Sequence, residues 1–87
     1  PFHRYADGAD LAALELARLV DLECVVLRVP GVRTVRAAHL PDALPRGGAL
    51  LVHTGWDRHF GTAAYGVGHP HLDGECARAV VAAGLAV

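Results

Sequence analysis

An α/β fold is predicted for this chain by three features. Two short apolar runs, at 23–29 and 49–53, have the length and the aliphatic, partly β-branched make-up of strands, and each is followed by a turn signal, Pro30-Gly31 and Thr54-Gly55. A third segment, 73–84, carries both end signals of a helix. Alternation of strand-like runs with helical pieces over so short a chain favours strand–helix–strand units rather than an all-helical or all-strand design.

Along the chain, Asp7-Gly8 is a turn dipeptide, and Asp10 is placed to cap a short helix over 11–20, where Leu11, Leu14, Leu16 and Leu19 give a partly helical spacing and Ala contributes propensity. The run Cys24, Val25, Val26, Leu27 and Val29 is nearly continuous, which predicts a buried strand closed by Pro30-Gly31. A brief extended piece is expected at 32–35 and a single helical turn at 36–40, ahead of Pro41. Pro45-Arg46-Gly47-Gly48 forms the next turn and 49–53 the second apolar strand. In the last helix Asp73 is a suitable N-cap, Glu75 complements the positive end of the dipole, Cys76, Ala77, Val80 and Val81 supply an apolar stripe, and Gly84 stops it. Leu85-Ala86-Val87 then reads as the start of another strand.

Bulk properties narrow the function classes. At 87 residues the chain suits at most one domain, and such a length buries only about 60–65% of the surface exposed on unfolding, so a partner surface is expected, most simply a homo-oligomer. Eight basic residues against nine acidic ones give a net charge of −1, with no positive stripe for phosphate backbones, which argues against nucleic acid. No apolar run approaches the ~20 residues of a membrane span, and 1–10 lacks the hydrophobic region of a signal peptide, so no membrane partner and a soluble, cytoplasmic protein are predicted. Cys24 and Cys76 have neither disulfide density nor C-x-x-C spacing, and both read as small buried hydrophobes. The chain opens on Pro1, contains no Met, and stops as if entering a strand, which predicts an internal piece of a longer protein.

The least generic stretch is 54–72, which gathers the only Trp, three of six His and four of ten Gly into nineteen positions. Such a stretch lacks a steady apolar period and reads as a shaped loop starting at a strand end, where α/β folds usually place ligands. His69 and His71 flank Pro70 and read as a rigid lead-in turn to the helix, with metal ligation the alternative. His53 and His59 flank Trp56 and read as half-buried imidazoles donating to backbone carbonyls, while His39 reads as a solvated connector residue. Ser is absent, and neither Cys has a His at short range, so nucleophilic catalysis from within these residues is poorly supported. There is no Walker loop and no H-E-x-x-H helix.

The segment 49–87 carries Leu-Leu-Val-His-Thr-Gly-Trp at 50–56, Phe-Gly-Thr at 60–62, Tyr65, and His-Pro-His-Leu at 69–72 ahead of a capped helix. With these motifs it resembles the central part of the cyclase family of metal-dependent hydrolases, which includes kynurenine formamidases and isatin hydrolases. A shorter match lies at the amino end, where Pro1-Phe2-His3 is similar to the close of the family's metal motif H-x-G-T-H-x-D-x-P-x-H. The resemblance implies part of a swivelling β/β/α domain that binds zinc or manganese and hydrolyses an amide or formamide C–N bond of a small-molecule substrate through a metal-activated water. It further implies that residues 1–87 are an internal fragment of one such domain, that the metal ligands lie outside it, and that His3 is the proton-transferring group, a role that suits an imidazole near neutrality.

Trp56 is the candidate for a substrate-binding wall, with an ordinary core aromatic as the alternative, and for His3 the alternative is a frayed surface position. A non-catalytic binding or assembly module on the same scaffold is the second functional reading, and a small metal carrier using His53, His59, His69 and His71 is a third.

Overall fold

The computed structural model describes residues 5–8 and 10–87. Its architecture is α/β, built on two parallel strand pairs. Strand β1 (Cys24–Arg28) pairs with β3 (Ala49–His53) in the register Cys24 to Ala49 through Arg28 to His53, and the short β2 (Thr34–Val35) pairs with β4 (His71–Leu72). The one α-helix among the described residues, α1 (Gly74–Ala83), follows β4 directly.

Both ends of the β1–β3 ladder run on beyond the strands. Ala49 donates to the Glu23 carbonyl at 2.9 Å at one end; at the other, Val29 donates to His53 at 2.9 Å and Gly31 to Thr54 at 3.3 Å. On the opposite edge of β3, Ala86 donates to the Gly48 carbonyl at 2.8 Å and Leu50 to Val87 at 3.0 Å. The strand-like reading of 85–87 thus corresponds to backbone paired against the start of β3, which is flanked on both sides.

Gly48 makes this crowding possible. A Cβ there would lie 2.5 Å from the Glu23 carbonyl oxygen and 2.7 Å from the Pro45 ring, closer than real side chains approach. Only a residue without a side chain lets the 45–48 turn press against the chain entering β1.

The core is small. Val29, Val35 and Cys76 are buried, the last two completely, and Leu27, Val32, Leu40 and Val52 pack around them. They join the inner face of β1 and β3 to β2 and to α1, which also rests on the 3-10 turn Ala37–His39. Asp73 caps α1 as its sequence suggests, its Oδ1 accepting from the Cys76 amide at 2.8 Å, and Gly84 closes the other end. Burial, and then the neighbouring Asp73 carboxylate, hold the Cys76 thiol above its ordinary pKa and keep it protonated.

Several local expectations need correction. Over 11–20 there is no continuous helix but two 3-10 turns, Leu11–Ala13 and Leu16–Arg18, although Asp10 does cap the first by accepting from Ala13 at 3.1 Å. Leucines spaced by three, two and three residues do not hold one face, and a helix this short needs packing to persist, which Leu16 at 70% exposure does not provide. The inward stripe of α1 is Cys76, Ala79, Val80 and Ala83, whereas Ala77 and Val81 face out; Ala77 lies about 100° round the helix from Cys76, so the true stripe follows the i, i+3, i+4, i+7 rule.

The strand at 23–29 is buried on one face only. Cys24, Val26 and Arg28 point outward with Leu51 and His53, and Val26 and Leu51 are 47% and 60% exposed, because the described residues cover just one side of this parallel sheet. Cys24 is accordingly exposed, and only Cys76 is a buried thiol. His39 is half-buried rather than solvated: its Nδ1 accepts from the Arg36 amide at 2.9 Å and ties off the 37–39 turn. Among the described residues no helix is long and apolar enough to cross a membrane.

Gly48→Ala is expected to destabilise the fold by about 1–3 kcal/mol, the usual range for forced overpacking, because the clash is with backbone and a rigid ring. A lowered urea midpoint with unchanged m-value checks this; a midpoint equal to that of the native chain would show that the 45–48 turn has slack.

Candidate functional site

Parallel, in-register pairing places the exits of β1 and β3 side by side, so the 30–33 and 54–56 segments leave the sheet next to one another. Gly55 takes φ +70°, a left-handed conformation that costs glycine little, and its backbone runs past the Pro30 ring. Thr54 Oγ1 accepts from the Trp56 amide at 3.3 Å, tightening the same turn. These two residues fix how the indole leaves the strand.

Two 3-10 turns then shape the loop, Trp56–His59 and Ala63–Gly66. Thr62 Oγ1 donates to the His59 carbonyl at 2.6 Å, and the Phe60 and Tyr65 rings meet edge to face at 5.4 Å. Trp56 ties the turns together, its Nε1 donating to the Tyr65 carbonyl at 2.9 Å. The half-buried indole is also flanked by two side chains: the His59 ring lies 4.4 Å away at a 51° tilt, and the Arg33 guanidinium lies 5.1 Å from the indole centre. That same guanidinium donates to the Gly68 carbonyl, so a single side chain from the β1–β2 connection holds the far end of the loop and the face of the indole.

A cavity of about 440 Å³ opens here, with Thr54, Trp56, Val67 and Pro70 among its less polar walls and Arg33, Arg58 and His59 as its charged or ionisable ones. This volume lies within the ~300–1,000 Å³ range of small-molecule sites. A second recess shares Thr54, Trp56 and Pro70 and extends towards Tyr65 and His69. Trp56 therefore stands between two hollows.

The imidazoles behave differently from expectation. His59 is half-buried, but its Nε2 accepts from Arg58 Nε at 3.2 Å instead of the ring donating to a backbone carbonyl, and His53 is exposed on the outer sheet face. His69 and His71 do not form a plain turn: His71 begins β4 and its amide donates to the Arg33 carbonyl at 3.0 Å. Among the described residues no three His, Cys, Asp or Glu side chains converge as a metal site, so His53, His59, His69 and His71 are not a ligand set. His3 lies outside the described residues.

Arg33 and Arg58 went unnoticed in the sequence. A signal for Arg33 was present: it follows the turn after the first strand as Trp56 follows the second, and parallel pairing of those strands brings the two together.

The model of the family described as Putative cyclase matches residues 1–87. The chain belongs to the cyclase family. The match spans every residue given, so the Trp56 loop, the Arg33 connection and the capped helix all fall inside the cyclase region. Comparison with curated proteins gave no match, and comparison with solved structures gave none either.

Arg33→Met is expected to remove an exposed cation–π contact and one hydrogen bond from this cyclase-family loop, together about 1–2 kcal/mol. Amide exchange across 57–66 should then speed up by roughly five- to thirtyfold while that of α1 stays as it was. Uniform exchange in both segments would show that Arg33 does not brace the loop.

Proposed function

We propose that the chain forms part of a metal-dependent hydrolase of the cyclase family, similar to kynurenine formamidases and isatin hydrolases, which cleaves the amide or formamide C–N bond of a small aromatic or cyclic amide on a swivelling β/β/α domain. One observation carries this reading most of the way: an indole braced by Arg33 and hydrogen-bonded through Nε1 faces a small-molecule-sized cavity at the carboxyl ends of two parallel strands. Membership of the cyclase family supports the hydrolase part of this reading.

In this proposal Trp56 offers a flat apolar face on which the ring of the amide rests. Stacking of this kind contributes about 0.5–1.5 kcal/mol beyond the burial of area. Val67 and Pro70 line the hollow beside it, and the tie to the Tyr65 carbonyl keeps the indole from swinging into the space the substrate takes. Less reorganisation on binding follows from that preset orientation.

When bound, a zinc or manganese ion would polarise the scissile carbonyl and acidify a water. The described residues do not fit such an ion, since no ligand set converges among them, and its ligands are assigned elsewhere. His3, beyond the described residues, is the proton donor and acceptor of this proposal; imidazole is the side chain type suited to exchanging protons close to neutrality.

Trp56→Ala in the full natural chain is expected to lower kcat/KM for an N-acyl aromatic amide by about tenfold or more, mainly through KM, corresponding to about 1.4 kcal/mol of lost binding. Unchanged kcat/KM would remove Trp56 from the substrate wall. His3→Ala is expected to leave metal content, read by elemental analysis, as it is while abolishing most turnover. Full turnover in that variant would refute the proton-transfer role, and a native chain with no hydrolysis of any tested amide would favour a binding or assembly module.

A further inference from the structure

We infer that the Trp56 cavity selects aromatic ligands that carry an anionic group, and that Arg58 is the residue that reads the charge. The inference rests on the stacking role proposed for Trp56 and adds the chemical class of what stacks there.

Charge in the lining is one-sided. Ten of the described residues border the cavity; two are Arg and one is His, and none of the ten is Asp or Glu, for Asp57 beside Trp56 is not part of the wall. A concave site with charges of one sign concentrates ions of the other. A carboxylate is therefore favoured there over a neutral amide of the same shape.

The two guanidiniums are not equivalent. Arg33 is committed to the indole face and to the Gly68 carbonyl, so it contributes field more than contact. Arg58 is anchored through Nε alone, which donates to His59 Nε2 at 3.2 Å and leaves the two-nitrogen Nη edge without a hydrogen bond among the described residues. That edge matches the two oxygens of a carboxylate. The His59 ring that accepts from Arg58 lies 4.4 Å from the indole and so ties Arg58 to the stacking surface. A ring lying on Trp56 with a carboxylate on or next to it would present that group to Arg58.

Benzoate and benzamide, planar and nearly identical in shape, make suitable probes in calorimetric titrations of the full natural chain at low ionic strength. Benzoate is expected to bind about tenfold more tightly than benzamide, as one charge-assisted contact would give, with the preference shrinking in high salt. Arg58→Gln should abolish the preference without weakening benzamide, and Arg58→Lys should restore part of it. Equal affinity of the native chain for both probes would overturn anion selection while leaving Trp56 stacking intact. A preference that survives in Arg58→Gln would overturn the assignment of Arg58, and no binding of either probe would remove the stacking role together with the inference built on it.

Discussion

Parallel hydrogen bonding between β1 and β3 is the constraint on which the remaining structure depends. Because the two strands run the same way and in matched register, their exits emerge together, and the ladder continues through Val29 and Gly31 until it meets Thr54. Antiparallel pairing would have sent the segment bearing Arg33 to the opposite end of the sheet from Trp56. The site is thus a product of strand direction before it is a product of any side chain.

The energetic basis of this arrangement is modest. Among the described residues three buried ones form the core, and the Cα radius of gyration of 14.4 Å exceeds the ~12 Å of a compact chain of this length. Order around the cavity comes instead from directional contacts: the Thr54 hydroxyl, the indole N–H, the Arg33 guanidinium and the paired 3-10 turns. Each is worth only about 1 kcal/mol, but they converge on one loop. A loop held this way can be well shaped while the sheet beneath it stays half covered.

Legibility in the sequence followed the range of the determining interaction. The 49–53 strand, the Asp73 cap and the Gly84 stop were readable because neighbours along the chain decide them, and the turn at 45–48 likewise. The 11–20 segment departs from its helical spacing because helical persistence there depends on a surface to pack on, which no local pattern reports. Exposure of Cys24 and the outward turn of Val26 depend on which sheet face is covered, again a tertiary fact. At the site, Trp56 stood out by rarity and by its place after a strand, and the family resemblance from Ala49 onwards agreed with the family found. The partnership of Arg33 with Trp56, across more than twenty residues, needed the strand pairing to become visible.

The indole of Trp56 has one further consequence. It is the only such ring among these 87 residues, and it lies against a cation and an imidazole with its N–H already engaged. Its near-ultraviolet emission therefore carries a built-in optical record of the loop, quenched or shifted whenever a guest or a proton alters the ring's surroundings. Occupancy of the hollow can be followed through light the chain itself emits, without attaching a dye.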